Sequence, residues 1–292
     1  MDKDFNKGLL LTSLGSFWWG FIGVIYFEWV AFIGHIELVV HRCLWTAVML
    51  ILTTSFFSKW KLFFKISKNK KNLFGLFISG FLIFVNWAVW IYAVASERII
   101  DASFGYFIMP IISVLLGFIF FKEKLNFKRI ISIVLVSISI LILVLFNLKT
   151  LPWVGIIVAL SWAFYNLVRK KINIDTDIGL LIESLYILPF ALIVFYLITK
   201  NGFNDFNLVN PGLSLFLVLA GPMTVIPLFL YVRGVELIGL GPTGMIFYIT
   251  PTLQFLLGYF YYNEEFSLVK FISFIIIWIA VIIYLKDLYE TN

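Results

Sequence analysis

Charge is scarce in this chain. Asp, Glu, Lys and Arg make up 13% of its 292 residues, whereas a soluble domain carries about 25%. That scarcity excludes a water-soluble fold, a disordered tail and a nucleic-acid-binding segment. Cysteine is scarcer still. Cys43 stands alone, so no disulfide closes within the chain and no cysteine metal cluster forms. Histidine occurs only as His35 and His41, without the H-E-x-x-H spacing of a metalloprotease. No P-loop is present, so ATP does not drive this chain directly. Paired aspartates, a Ser–His arrangement and metal ligands at depth are also missing. The expectation is no enzyme, no metal and no cofactor.

What fills the sequence is hydrocarbon. Hydrophobic residues make 62% and aromatics 19%, and the mean hydropathy is +1.03. A bilayer core of about 30 Å takes about 20 apolar residues as helix. Only helices or closed barrels satisfy the backbone there, and continuous apolar runs favour helices over alternating barrel strands. Ten runs qualify: Gly8–Phe27, Leu38–Phe57, Leu73–Ser96, Ala102–Phe121, Ile130–Asn147, Leu151–Val168, Ile178–Thr199, Pro211–Val232, Pro242–Tyr262 and Leu268–Leu285. No Asp falls within any of them. The first follows Lys3 and Lys7 as a signal peptide would, but it holds Trp18-Trp19 and no small-x-small cleavage pattern follows, so a retained helix is expected. The fold class is all-α integral membrane, with the lipid bilayer as its surroundings.

The basic residues set the orientation. With the N-terminus inside, seventeen of the 22 lie in cytoplasmic segments, among them six lysines between Lys59 and Lys71. Arg98, Lys149, Lys200 and Lys270 lie outside, and Arg42 falls within the second span. Cytoplasmic loops carry the excess of Lys and Arg, so both termini are expected in the cytoplasm. The pI of 9.2 then marks one membrane face rather than an anionic partner.

A repeat runs through the chain. Shifted by 141 residues, Ile108, Pro110, Leu115, Leu116, Gly117 and Glu123 fall on Ile249, Pro251, Leu256, Leu257, Gly258 and Glu264. At the same offset Gly80 meets Gly221, and Trp90 meets Tyr231. Residues 1–147 and 150–292 would each hold five spans. Five is odd, so the second half enters the membrane from the opposite side. Inverted repeats of this kind build many secondary transporters around a midplane site. Pro110 and Pro251 loosen the helix ladder at matching places, as tolerated kinks or as paired mechanical elements.

Two segments, Ala102-Ser-Phe-Gly-Tyr-Phe-Ile-Met-Pro110 and Tyr248-Ile-Thr-Pro-Thr-Leu-Gln-Phe-Leu-Leu-Gly258, resemble the repeated motif of the EamA branch of the drug/metabolite transporter (DMT) superfamily. The chain is more closely similar to the RarD subfamily. That likeness rests on Glu37-Leu-Val-Val-His-Arg42, Asn86-Trp87, Phe164-Tyr-Asn-Leu-Val-Arg-Lys-Lys171, Glu183-Ser-Leu-Tyr-Ile-Leu-Pro189 and Ala220-Gly-Pro-Met-Thr, in order along the chain. It implies a ten-helix permease of the bacterial cytoplasmic membrane, moving small metabolites or drugs through a central cavity between its halves. Members are commonly labelled chloramphenicol-sensitive or chloramphenicol-resistance permeases, which fixes no physiological substrate. Asn263-Glu264 departs from the usual glycine before the terminal glutamate, and Met109 stands where a polar residue is frequent.

Ionisable groups inside a membrane are costly, about 2.5–3.5 kcal/mol on insertion scales, and are functional candidates by default. Glu37 and His41 share one face at the outer start of the second span, with Arg42 about 100° further round. They form either an outer gate, with a place for an acidic substrate group, or a buried ion pair pinning the helix. Glu183 lies inside the seventh span and either carries a coupling proton or pairs with Arg169, Lys170 or Lys171. Glu123 and Glu264 end the two motif helices, as gate latches or as interfacial charges. Arg233 and Glu236 read as a surface pair. Trp19, Trp90, Tyr106, Tyr165, Phe247 and Tyr248, with Asn86 and Gln254, are the candidate walls of a substrate cavity.

The expected function is a secondary-active or facilitative permease working by alternating access, with a small-molecule substrate and protons as the candidate coupling ion. The likeness favours export. A channel or a small-molecule receptor is the alternative. The internal two-fold supplies a central site within one chain, so a monomer or a homodimer is compatible with it.

Overall fold

A computed structural model describes residues 3–30, 32–95, 99–147, 153–207, 209–261, 263 and 267–291. They are helical almost throughout, because a chain this apolar must pair its backbone internally. The helices are α1 (Lys3–Phe17), α2 (Gly23–Trp29), α3 (His35–Phe56), α4 (Trp60–Ser67), α5 (Lys70–Ala95), α6 (Ile99–Phe121) and α7 (Phe127–Asn147). They continue with α8 (Trp153–Ile172), α9 (Thr176–Lys200), α10 (Pro211–Ile238), α11 (Leu240–Ile246), α12 (Ile249–Phe260) and α13 (Leu268–Thr291). A π-helical turn, Trp18–Ile22, joins α1 to α2 without breaking the rod.

Among the described residues seven helices are long and apolar enough to cross a membrane: Lys3–Trp29, His35–Phe56, Lys70–Trp90, Phe127–Phe146, Thr176–Lys200, Pro211–Ile238 and Leu268–Thr291. Gly105–Phe121 is a shorter apolar helix. The remaining runs fall short for visible reasons. Helix α8 gives its inward face to Trp162, Tyr165, Asn166 and Arg169, and α11 and α12 are separated at Phe247-Tyr248. Helices α9 and α13 also run further than the apolar pattern suggests, so Asp177 and Asp287 lie within helices after all. Asp287 is tolerated because Arg129 Nε and Asn126 Nδ2 donate to it at 2.8 and 2.7 Å, tying α7 to α13.

The packing has a recurring pattern. Helix α1 lies on α10, and α5 lies on α8; α8 lies on α6, and α1 lies on α11 and α12. Helices α7 and α13, α3 and α9, and α6 and α11 pack as pairs. Small residues permit the close crossings. A Cβ on Gly15 would sit 3.0 Å from the Pro227 carbonyl, and one on Gly105 would sit 2.6 Å from the Gly155 carbonyl.

Helix α4 spans no membrane. It is short and amphipathic, follows exposed Phe56 and Phe57, and sits among the lysines of residues 59–71. Lys59 anchors its start, lying 3.3 Å from Asp175 and 2.7 Å from Asp177 at the head of α9. Burial alone would lower the Lys59 ammonium, but the two carboxylates outweigh it and raise its pKa above the ordinary lysine value.

Candidate functional site

A cavity of about 560 Å³ opens between the two halves of the chain. It takes Trp19 from the π turn, Arg42 from α3, Asn86, Trp87 and Trp90 from α5, and Tyr106 from α6. Helix α8 adds Trp162, α10 adds Thr224 and Leu228, and the α11–α12 segment adds Phe247, Thr250 and Gln254. Glu28 and His35 lie on its wall where α2 gives way to α3.

Local backbone irregularities bring these side chains in. The π turn reorients Trp18–Ile22 relative to a regular helix, and π-bulges are frequent at functional sites. Its Gly20 lets α12 approach until a Cβ there would lie 2.9 Å from the Thr250 carbonyl. Thr250 Oγ1 in turn donates to the Ser16 carbonyl at 2.9 Å. On the other side the helix stops at Ile246 and resumes at Ile249, placing Phe247 at the interruption and Pro251 in the first turn of α12. Pro110 sits instead inside an unbroken α6, against Gly244. The matched prolines therefore occupy different backbones.

The cavity floor is aromatic. Trp19 stands edge-on to Trp162, with ring centroids 5.2 Å apart, and contacts Tyr231 at 5.7 Å and Phe247 at 6.1 Å. Tyr231 closes the set against Trp162 and Phe247, both at 5.6 Å. Tyr106 joins Phe247 to Trp90 at the rim, at 5.8 and 5.5 Å.

Beneath this floor lies a buried charged cluster. Arg169, fully buried, places Nη1 3.5 Å from Glu183 and Nη2 3.9 Å from Glu236. Nη2 also donates to the Thr176 carbonyl at 3.1 Å, while Nη1 makes no hydrogen bond. Glu183 accepts from Ser79 Oγ at 2.5 Å and from Tyr165 at 3.2 Å. Glu236 accepts from Thr176 Oγ1 at 2.8 Å and lies 2.7 Å from Arg233. Gly179 leaves the room that the guanidinium fills, since a Cβ there would overlap it.

Six of the eight expected wall residues line the cavity: Trp19, Asn86, Trp90, Tyr106, Phe247 and Gln254. Tyr165 and Tyr248 do not. Tyr165 lies below the floor on Glu183, and Tyr248 is turned away, donating to the Phe107 carbonyl at 2.7 Å. The trio on α3 divides. Glu37 accepts from the Asp205 backbone at 2.8 Å and lies 3.5 Å from His41, which fastens α3 to the 200–210 segment away from the cavity. Arg42 faces the cavity and has no carboxylate partner among the described residues, against the ion-pair reading of its two. Glu183 has the Arg169 partner that one of its two readings required.

Glu123 is a helix cap. Its carboxylate accepts from the backbone N–H of Leu240 at 2.8 Å and of Gly241 at 2.9 Å, at the start of α11. Lys170 lies 3.4 Å away. Gly117, Gly239 and Gly241 surround the carboxylate with no side chain in its way, and Gly239, at φ +96°, turns α10 into α11. Glu264 lies outside the described residues.

Sequence reasoning named Arg169 as a partner for Glu183 but missed Glu236, read as half of a surface pair yet only 4% exposed, and so missed the second carboxylate on Arg169. The run Arg169-Lys170-Lys171 resembles any cytoplasmic helix end; Gly179 in the first turn of α9 was the available hint.

Residues 6–145 match the EamA-like transporter family, and residues 150–286 match it again. The chain belongs to that family. Among EamA-like proteins it is similar to protein RarD of Salmonella typhi, with 32% identity over 290 residues covering 99% of this chain and 98% of the relative. Protein RarD of Escherichia coli K12 matches at 32% over 99% and 97%. An uncharacterized transporter of Bacillus subtilis, YojE, matches at 32% over 96% and 93%. This EamA-like chain therefore falls in the RarD subfamily of the DMT superfamily, a group of transporters, and is a multi-pass protein of the bacterial cytoplasmic membrane. A solved crystal structure shares the fold at a TM-score of 0.69 and 12% identity, over 94% of this chain and 96% of that one.

Proposed function

We propose that the chain is a carrier that moves a small metabolite or drug by alternating access, with the substrate bound in the central cavity. Its ten spans form two inverted five-helix repeats, residues 1–147 and 150–292, with both termini in the cytoplasm. Three features support the repeat. The family matches twice, in tandem. The helix pairings largely survive exchange of the halves, α1 on α10 answering to α8 on α5. Lys122 and Asn263, 141 residues apart, both adopt left-handed φ, at +55° and +53°.

The observation that carries the reading is the cavity's one-sided closure. Its wall reaches the α2–α3 connection, and its far end is sealed by the Trp19–Trp162–Tyr231–Phe247 cluster with Arg169, Glu183 and Glu236 packed behind it. By the lysine distribution the open end faces outside. Rocking the halves to the inward state must part this seal and close the rim. Glu183 serves in the outward state as a strut of the inner seal, and proton coupling, where present, runs through its separation from Arg169.

Tracer counterflow in proteoliposomes tests the proposal, using amino acids, aromatic acids, organic cations and chloramphenicol. Saturable counterflow of one class is expected. Flux that neither saturates nor exchanges would mean a channel, and binding without flux a receptor. With a pH gradient imposed, Glu183→Gln should keep exchange and lose gradient-driven accumulation; unchanged accumulation would remove Glu183 from coupling.

A further inference from the structure

Arg42 brings a positive charge to the cavity wall, and its neighbours leave it incompletely satisfied. Nε donates to Thr224 Oγ1 at 3.1 Å. The guanidinium is held between Trp87 and Phe27, 5.0 and 5.3 Å from their ring centroids. The two terminal nitrogens have no hydrogen-bond partner among the described residues. The rings fix the orientation of the fork but do not neutralise it. A guanidinium held this way presents two parallel donors, the geometry that a carboxylate matches bidentately.

The rest of the wall narrows the ligand. Aromatic walls alone would suit organic cations, but Arg42 opposes them. A neutral body would leave the fork with water alone. The volume of about 560 Å³ lies within the range of roughly 300–1,000 Å³ that encloses small organic molecules.

We infer that the cavity binds a small organic acid, a carboxylate on the Arg42 fork and its apolar or aromatic body against Trp19, Trp90 and Phe247. The inference rests on the carrier reading only in taking the bound acid to be the transported species.

The test is calorimetric titration of the full chain in lipid nanodiscs. The probes are benzoate, phenylacetate and 3-phenylpropionate, each paired with its neutral amide, and phenethylamine as the cation. At least one acid should bind about tenfold or more tightly than its amide, the ratio expected of a charge-assisted hydrogen bond, and the amine should bind weakest. Arg42→Gln should bring the ratio close to one without abolishing amide binding, and Arg42→Lys should keep the preference at reduced affinity. Equal binding of acid and amide would overturn the inference, because water would then suffice for Arg42. So would a preference that survives Arg42→Gln, or no binding of any acid to folded wild type. If Arg42→Gln does not fold, the wild-type ratio decides alone. Acid-selective binding without counterflow would refute the carrier and leave the anion site standing. Counterflow of amides or amines without acid preference would do the reverse.

Discussion

Arg169→Met would withdraw the guanidinium from between Glu183 and Glu236 while filling most of its volume. At 3.5 and 3.9 Å and an effective dielectric of about 20, the two attractions amount to about 4.7 and 4.3 kcal/mol. Desolvation of the buried ions offsets much of this. Breaking one partner out of such a cluster costs about 3–5 kcal/mol, because a buried charge is stranded. Glu236 keeps Arg233 and Thr176, so the stranded group is Glu183, with Ser79 and Tyr165 as its remaining donors. Those donors bring the expected cost to the lower end, about 3 kcal/mol or two orders of magnitude in the folding equilibrium. Removing Glu183 as well relieves the stranded charge and leaves two hydroxyls to find partners, at about 1 kcal/mol each. The double variant Arg169→Met/Glu183→Met should therefore be no less stable than Arg169→Met alone. Steric-trapping measurements in bicelles on wild type, both single variants and the double variant give the coupling. Additivity of the two single effects within about 0.5 kcal/mol would refute the account of a mutually neutralising cluster.

Glu123→Ala should cost about 1–2 kcal/mol through the loss of the α11 cap, measured as a lower unfolding midpoint in detergent; an unchanged midpoint would show that the cap is dispensable. Gly221→Ala should destabilise by about 1–3 kcal/mol, because its Cβ would lie 2.6 Å from the Trp45 carbonyl. Gly80→Ala, at the matching place in the other half, meets nothing nearer than 3.5 Å and should be neutral or mildly stabilising. Equal melting shifts for the two would count against the packing asymmetry. Lys59→Gln should cost no more than about 1 kcal/mol, since that pair is partly exposed, and the loss should shrink in high salt. A larger effect that ignores salt would mean α4 is held by something else.

The membrane class and most helix positions follow from apolar run length, because lipid leaves the backbone no other way to pair. Side-chain partners are less legible. Glu37, His41 and Arg42 are neighbours in sequence, but successive residues on a helix point about 100° apart, so Arg42 reaches the cavity and the other two reach the 200–210 segment. Tyr165 and Trp162 sit three apart on α8 with ring centroids 5.7 Å apart, yet Trp162 lines the cavity while Tyr165 lies below the floor on Glu183. The break at Phe247-Tyr248 had a hint in Gly241, Pro242, Gly244 and Pro251, whereas Pro110 alone leaves α6 intact. Glu236 gave no hint, because its Thr176 partner lies 60 residues away.

The Glu123 cap also bears on biogenesis. The ribosome makes the end of α6 long before the backbone that its carboxylate caps, since Leu240 follows 117 residues later. At about 5–20 residues per second, the first half waits in the membrane for roughly 6–23 s before that carboxylate meets the backbone it caps and its three-glycine pocket is complete. The two halves made as separate polypeptides should consequently find each other in the bilayer, each supplying the other's missing terminus. The first half made alone should be a target for membrane quality control.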